Sequence, residues 1–298
     1  MSKRPIPSQE EIKAYLRDGR NWGRWGKKGG SGAINLITPE KRVEAARLVQ
    51  SGKVVSLSRP LPVDPSPQNS RPVQHYIKIV EGEDGRGSSL DYLGVFHHGV
   101  ALTHLDALCH NWDQDGMWDG RDPEEEITFD GAKYGAIDEW SDGILTRGVL
   151  LDVPQHRGQP YVTVDEPVHG WELEDICREQ GIEVGPGDAL LVFCGREAYS
   201  ASNSDAFTDW REMPGLHGSC LPFIRESDAA VLGWDMLDAS SGDTGDSMPV
   251  HGVLFAYGVA ILDNALLEPL AKVCAAEGRY EFMLSVNPLV IKGGTGSA

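Results

Sequence analysis

The sequence predicts a mixed α/β or α+β domain built on a large central sheet, and three observations carry that expectation. Short apolar runs rich in β-branched and aromatic residues, each bounded by Gly, Asp or Pro, outnumber the helical patterns. Strands and helices therefore do not alternate as a regular βαβ succession would require. The chain has 298 residues, 40% of them apolar, which is enough for one substantial core. No internal repeat, low-complexity tract or long linker interrupts it, so residues 1–298 are expected to form one domain.

In chain order, a polar helix is expected over about residues 8–18, followed by the Gly- and Trp-rich segment NWGRWGKKGGSGAINLI. That segment reads as an ordered loop pinned by Trp22 and Trp25, which closes an N-terminal section of about 1–37. A helix is expected next, from Thr38 as N-cap and Pro39 in the first turn through EKRVEAARLVQ, with Gly52 as its stop. The runs KVVSLSRPL, PVQHYIKIV, RGVLLDV, DALLVFC, AAVLGWD, HGVLFAYGVAIL and YEFMLSV read as strands. Two more helices are expected, VDEPVHGWELEDICREQG ending at Gly181 and LLEPLAKVCAAEG ending at Gly278.

Composition excludes several function classes. A net charge of −18 without a compensating basic run repels phosphate backbones, so nucleic acid is not an expected partner. The five cysteines are scattered, odd in number and never paired as CxxC, which argues against a disulfide framework and against a thiolate zinc site. The N-terminus lacks the apolar core of a signal peptide, and no stretch approaches the roughly 20 apolar residues that span a bilayer. The expectation is a soluble, cytoplasmic protein with no membrane partner. Nucleotide-binding loops and the GxSxG elbow are absent as well.

The stretch from His97 to His110 holds four of the nine histidines beside Asp106. On a strand, residues two apart share a face, so His104 and Asp106 can present an imidazole nitrogen and a carboxylate oxygen to one cation. The plain alternative is polar residues satisfied by backbone carbonyls. The surrounding Val95, Phe96, Val100, Ala101, Leu102, Leu105, Ala107 and Leu108 are apolar, however, and a buried carboxylate is costly there unless paired or metal-bound. His110 lies in or beyond the following turn, where it can face the same cavity and move protons. The loop from Asn111 to Gly120 is a candidate pocket wall, with Trp112 and Trp118, and Trp25 from the earlier loop, suited to a flat or aromatic substrate. Cys109 reads as a small buried residue.

These motifs resemble the cyclase-like metal-dependent hydrolases, the family that includes bacterial kynurenine formamidase and isatin hydrolase. Thr103-His104-Leu105-Asp106-Ala107-Leu108-Cys109-His110 is similar to the second half of its HxGTHxDxPxH signature, with Leu108 in place of proline. Pro249-Val250-His251 and Gly258 to Asn264 resemble its downstream P-x-H and G-[IV]-x-[IL]-[IL]-E-N segments. NLITPEKR, RGVLLDV, GDALLVFCG, PGLH at 214–217 and the terminal GGTGS also fit, so the resemblance spans nearly the whole chain.

The resemblance implies a swivelling β/β/α domain around a mixed sheet, assembled as a homodimer or homotetramer with subunit contacts near the pocket. It implies that His104, Asp106, His251 and Asp263 hold a divalent metal, zinc or manganese, and that His110 is the acid/base. The implied reaction is hydrolysis of an amide, cyclic amide or lactone of a small molecule by metal-activated water. Two positions depart from the pattern: Val100 stands where the signature has its first histidine, and Asp263 where it has glutamate. His98 is the candidate substitute ligand, through a bulge, or else a contact to substrate or to a ligand. His217 is a further candidate for the pocket. Because of Val100, a second reading keeps His110 as acid/base in a dehydration, cyclisation or isomerisation with a weak metal or none. A third is a binding protein on an inherited fold.

Overall fold

The computed structural model describes residues 4–240 and 248–298. Its strands in chain order are β1 (Gln74–Glu81), β2 (Gly87–Gly94), β3 (His104–Asp106), β4 (Ile127–Thr128), β5 (Gly131–Ala132), β6 (Ile144–Asp152), β7 (Ala189–Phe193), β8 (Val231–Trp234), β9 (Ala260–Asp263), β10 (Glu281–Val286) and β11 (Gly296–Ser297). Its α-helices are α1 (Gln9–Asp18), α2 (Pro39–Arg47), α3 (Pro123–Glu126), α4 (Val153–Arg157), α5 (Gly170–Gln180), α6 (Arg196–Ser202), α7 (Leu221–Ser227), α8 (Val253–Tyr257) and α9 (Glu268–Glu277). No helix among the described residues is long and apolar enough to cross a membrane.

Seven strands form one mixed sheet in the order β10-β6-β7-β8-β9-β3-β11, as the strand-rich sequence predicts. Its centre, β6 to β9, is parallel, while β10, β3 and β11 join antiparallel at the flanks. Parallel strands are covered on both faces, and every residue of β7, β8 and β9 is accordingly buried. All five cysteines are free thiols. Among the described residues the hairpin β1–β2 stands apart, pairing only with itself and exposed along nearly its full length.

Four expected elements differ from what forms. KVVSLSRPL makes no strand: Arg59 and Pro60 break the run, Val54 stays exposed, and the segment is tied down by isolated contacts such as Leu266 N–H to Leu57 O at 2.7 Å. HGVLFAYGVAIL divides into a 3₁₀ turn, helix α8 and strand β9, because a fully buried helix is apolar all round and shows no period. Helix α2 stops at Arg47, short of Gly52. Helix α5 starts only at Gly170, where His169 is the N-cap and the Glu172 side chain reaches back to its N–H.

The break inside the apolar run is Gly258, whose φ of +70° ends α8 and whose missing side chain lets Trp118 pack against it. A Cβ there would lie 2.6 Å from the Trp118 ring. Gly258→Ala combines a left-handed backbone with overpacking and should destabilise the fold by about 2–4 kcal/mol, measured as a lower urea midpoint at unchanged slope.

Candidate metal centre

Strand β3 is three residues long and wholly buried, and its register with β9 sets His104 directly opposite Asp263. His104 and Asp106 project to one face of the strand, as their spacing predicts, so the cross-strand pairing brings an imidazole and two carboxylates together. His104 Nε2 lies 3.3 Å from Asp106 Oδ1 and 3.6 Å from Asp263 Oδ2, while its Nδ1 meets Leu102 O at 3.0 Å. His251 arrives from the 3₁₀ turn Val250–Gly252, with Nε2 3.9 Å from Asp263 Oδ2. His98 reaches Asp106 Oδ1 through Nδ1 at 2.8 Å, and His110 stacks on the His98 ring at 3.7 Å.

Two sets of side chains have donor atoms within 4.8 Å of one another, His104 with Asp106 and Asp263, and His98 with Asp106 and His110. Asp106 belongs to both. Its Oδ1 is engaged by two imidazoles, whereas its Oδ2 is buried without a hydrogen-bond partner among the described residues. A buried carboxylate oxygen without a partner is strongly disfavoured, and the mixed nitrogen and oxygen donors around it suit a divalent cation. The residues present therefore fit the metal that the resemblance implies.

The electrostatics point the same way. Burial opposes charge on His104, but Asp106 and Asp263 outweigh it and raise the imidazole to about 9. His251 is likewise raised to about 9, where burial is overcome by Asp238 and Asp263. Burial would raise the Asp106 carboxyl, yet His104 and His98 hold it well below its usual range, whereas burial dominates at Asp263 and raises it. The cluster thus demands positive charge, which protons or a cation can supply. His110 is different: burial pushes it down to about 4, so it is neutral at physiological pH.

Sequence reasoning missed the outer partners. Asp238 bonds His251 Nδ1 and also receives the backbone N–H groups of Val250 and His251. Trp234 donates its indole N–H to Asp263 Oδ1 at 2.5 Å, leaving Oδ2 turned toward the imidazoles. Arg196 is buried and donates to Asn264 Oδ1 at 2.6 Å and to Val100 O, while Asn264 Nδ2 donates to Gly99 O at 2.7 Å. These bonds anchor the loop that carries His98. The carboxylates just past the end of the apolar run AAVLGW were the available signal.

Comparison with known proteins fits this geometry. The Cyclase family model matches residues 43–240. The chain belongs to the cyclase family. The crystal structure of a novel cyclase is 30% identical to it over 95% of this chain and 96% of that one, with a TM-score of 0.79. Isatin hydrolase A from Labrenzia aggregata, bound to benzyl benzoate, shares the fold at 17% identity, with 86% of this chain and 95% of that one covered and a TM-score of 0.58. Isatin hydrolase A from Ralstonia solanacearum does so at 17% identity, with 86% and 93% covered and a TM-score of 0.54. Phthioceranic/hydroxyphthioceranic acid synthase of Mycobacterium tuberculosis is 38% identical over a 74-residue alignment that covers 22% of this chain and 4% of that protein. The chain thus spans only a small part of that relative's length.

In this cyclase-family chain the aromatic residues read as pocket walls are placed differently. Trp118 is fully buried, with its N–H bonded to Gly29 O at 2.7 Å, and Trp25 packs against it with ring centres 5.8 Å apart. Both belong to the packing that joins the N-terminal loop to the domain: Trp118 is a core residue with its polar atom satisfied internally, and Trp25 is partly buried against that core. Trp112, next to the His110 turn, remains half exposed. His217 does not join the centre. It lines a separate cavity of about 640 Å³ with His169, Trp171 and Arg157, and its Nδ1 accepts the Ser219 N–H at 3.1 Å. Val100 is buried in the core, so nothing at that position offers a ligand. Cys109 is buried as expected, and burial pushes its thiol up to about 12.

Proposed function

We propose that this cyclase-family protein is a metal-dependent hydrolase that opens an amide, cyclic amide or lactone bond of a small molecule, aromatic substrates being among the candidates. The observation that supports this most is the unpartnered Asp106 Oδ2 inside the buried His104, Asp106 and Asp263 cluster. These three residues, with His251, would hold zinc or manganese. When bound, such an ion supplies Lewis acidity toward a carbonyl and toward water. His110, neutral through burial, takes the proton from the attacking water and returns it to the leaving nitrogen or oxygen. Asp238 fixes the His251 ring, and Trp234 fixes the Asp263 carboxylate.

The test is elemental analysis of the purified protein, paired with hydrolysis of N-formyl aromatic amines, isatin-like lactams and lactones before and after chelation. Stoichiometric metal with chelator-sensitive turnover is the expected result, and a metal-free protein that retains activity sinks the reading. Val100 favours one second reading, in which His110 serves a dehydration, cyclisation or isomerisation with a weak metal or none.

The same reading includes a homodimer or homotetramer. Tyr76, Ile77, Ile79, Leu90 and Leu93 are more than half exposed on the hairpin, and an isolated two-stranded hairpin is marginal in water. A second copy covering it resolves both features. Replacing Ile77 and Ile79 by Glu should yield monomers in sedimentation velocity, and an unchanged assembly would exclude the hairpin as the contact.

A further inference from the structure

The cavity that holds His217 lies apart from the metal centre, and the hydrolase reading gives it no task. It forms where the start of α5 and the loop before it meet the end of α4 and Ile6 of the N-terminal segment. Three rings meet at its wall. His169 stacks on Trp171 with centres 4.2 Å apart and planes 11° apart, and His217 stands 4.8 Å from His169 at 55°. Asp165 and Glu166 line the same cavity and are exposed. Among the described residues their carboxylates have no hydrogen-bond or ion-pair partner.

The bonds around these rings decide which ligand chemistry fits. Ser219 N–H donates to His217 Nδ1 at 3.1 Å, so that nitrogen holds the lone pair and the ring proton sits on Nε2. His169 Nδ1 is taken by the Ser219 hydroxyl at 2.9 Å. A metal ion is badly served by such a pair, and among the described residues no three metal-capable side chains converge here. An anion is served no better. Arg157, the only cationic side chain lining the cavity among the described residues, is engaged by both Glu172 oxygens at 2.8 Å and by the carbonyls of Glu166 and Pro167. Arg157 and Glu172 cancel, which leaves Asp165 and Glu166 uncompensated. Burial lowers both imidazoles, His169 to about 4, so near neutral pH the rings offer π faces rather than positive charge.

We propose that this cavity is a binding site for an organic cation, a substituted ammonium held against the Trp171, His169 and His217 rings with Asp165 and Glu166 at its mouth. Aromatic faces attract a diffuse cation through the ring quadrupole, and a substituted ammonium, unlike a metal ion, needs no inward-pointing lone pairs. The two carboxylates add an attraction that salt screens, because they are exposed. A volume of about 640 Å³ has room for a ligand larger than a simple ion. The site is independent of the hydrolase reading, since it shares no residue with the His104, Asp106 and Asp263 set.

Choline and benzyltrimethylammonium are the probes, titrated calorimetrically into the full chain beside a neutral analogue of choline in which a tert-butyl group replaces trimethylammonium. Saturable binding of at least one cation is expected, with the neutral analogue weaker than choline by roughly 5-fold or more. Trp171→Leu should weaken the cation by roughly 5- to 30-fold. Asp165→Asn combined with Glu166→Gln changes exposed side chains only and so keeps the fold. It should weaken the cation by roughly 2- to 10-fold at low ionic strength and remove most of the salt dependence. Affinity should be the same in samples incubated with zinc and in samples chelated and dialysed, which places the ligand away from the metal centre. Absence of saturable binding by either cation overturns the proposal, and so does a neutral analogue that binds as tightly as choline. Unchanged affinity in both variants, or an affinity that shifts on chelation, overturns it as well.

Discussion

Replacing His110 by Asn should lower kcat by roughly 10²- to 10⁴-fold while leaving the metal content at the wild-type level. The ring stacks on His98 and sits beside Asp106, close enough to serve a water or leaving group at the centre, yet it is not part of the His104, Asp106 and Asp263 set. Burial holds it down to about 4, so it is a free base across the physiological range. The wild-type profile of kcat/KM should therefore fall on the acid side near pH 4 rather than near 6.5, and the Asn variant should lack that limb. Elemental analysis beside kinetics decides the role: lost activity with retained metal marks an acid/base, whereas lost metal marks a ligand.

Asp106→Asn should have the largest effect on the centre itself. The carboxylate is fully buried, touches His98 and His104, and carries the orphaned oxygen. Metal affinity should fall by more than the roughly 10- to 100-fold that follows loss of an outer partner, read by chelator competition. The metal-free fold should lose about 3–5 kcal/mol, because one partner of a buried charged set is removed and the others remain.

The pH dependence of the metal-free wild type follows from the same contacts. His104 is raised from 6.5 to about 9 on folding, so its contribution is fully present below about pH 6.5 and is lost as pH rises through 9. Asp106 is lowered on folding, so its contribution is present above its unfolded value of 3.8 and is lost only as pH falls through the lower folded value. Urea unfolding in the presence of a chelator should therefore show stability declining from about pH 6.5 to about pH 9, and Asp106→Asn should flatten that decline. A cation must displace the His104 proton, so metal affinity should rise with pH up to about 9.

The sequence made the centre partly legible because two of its residues are close in the chain. His104 and Asp106 are two apart in an apolar stretch, and strand periodicity alone puts them on one face. His251 and Asp263 lie more than a hundred residues away, and only their similarity to a family pattern connected them to it. Asp238, Trp234 and Arg196 carried no such pattern, since each acts through bonds formed only when separate segments meet. Trp118 shows the opposite failure: an aromatic residue near a putting-together of His and Asp side chains reads as a pocket wall, but its N–H finds Gly29 O and the ring becomes core.

Local chemistry in the sequence determined the elements whose ends are marked by it. Ser8 caps α1, Thr38 and Pro39 open α2, and left-handed glycines at 181 and 278 close α5 and α9. Alternating or continuous apolar runs likewise determined β6, β7, β8 and β10, and hence a strand-rich mixed domain. Tertiary structure alone decided that HGVLFAYGVAIL divides into a helix and a strand, because a buried run has no polar face to reveal its period. It alone decided the antiparallel register of β3 with β9 that sets His104 against Asp263. Register depends on which strands become neighbours, and that is settled by packing the whole sheet rather than by any one segment.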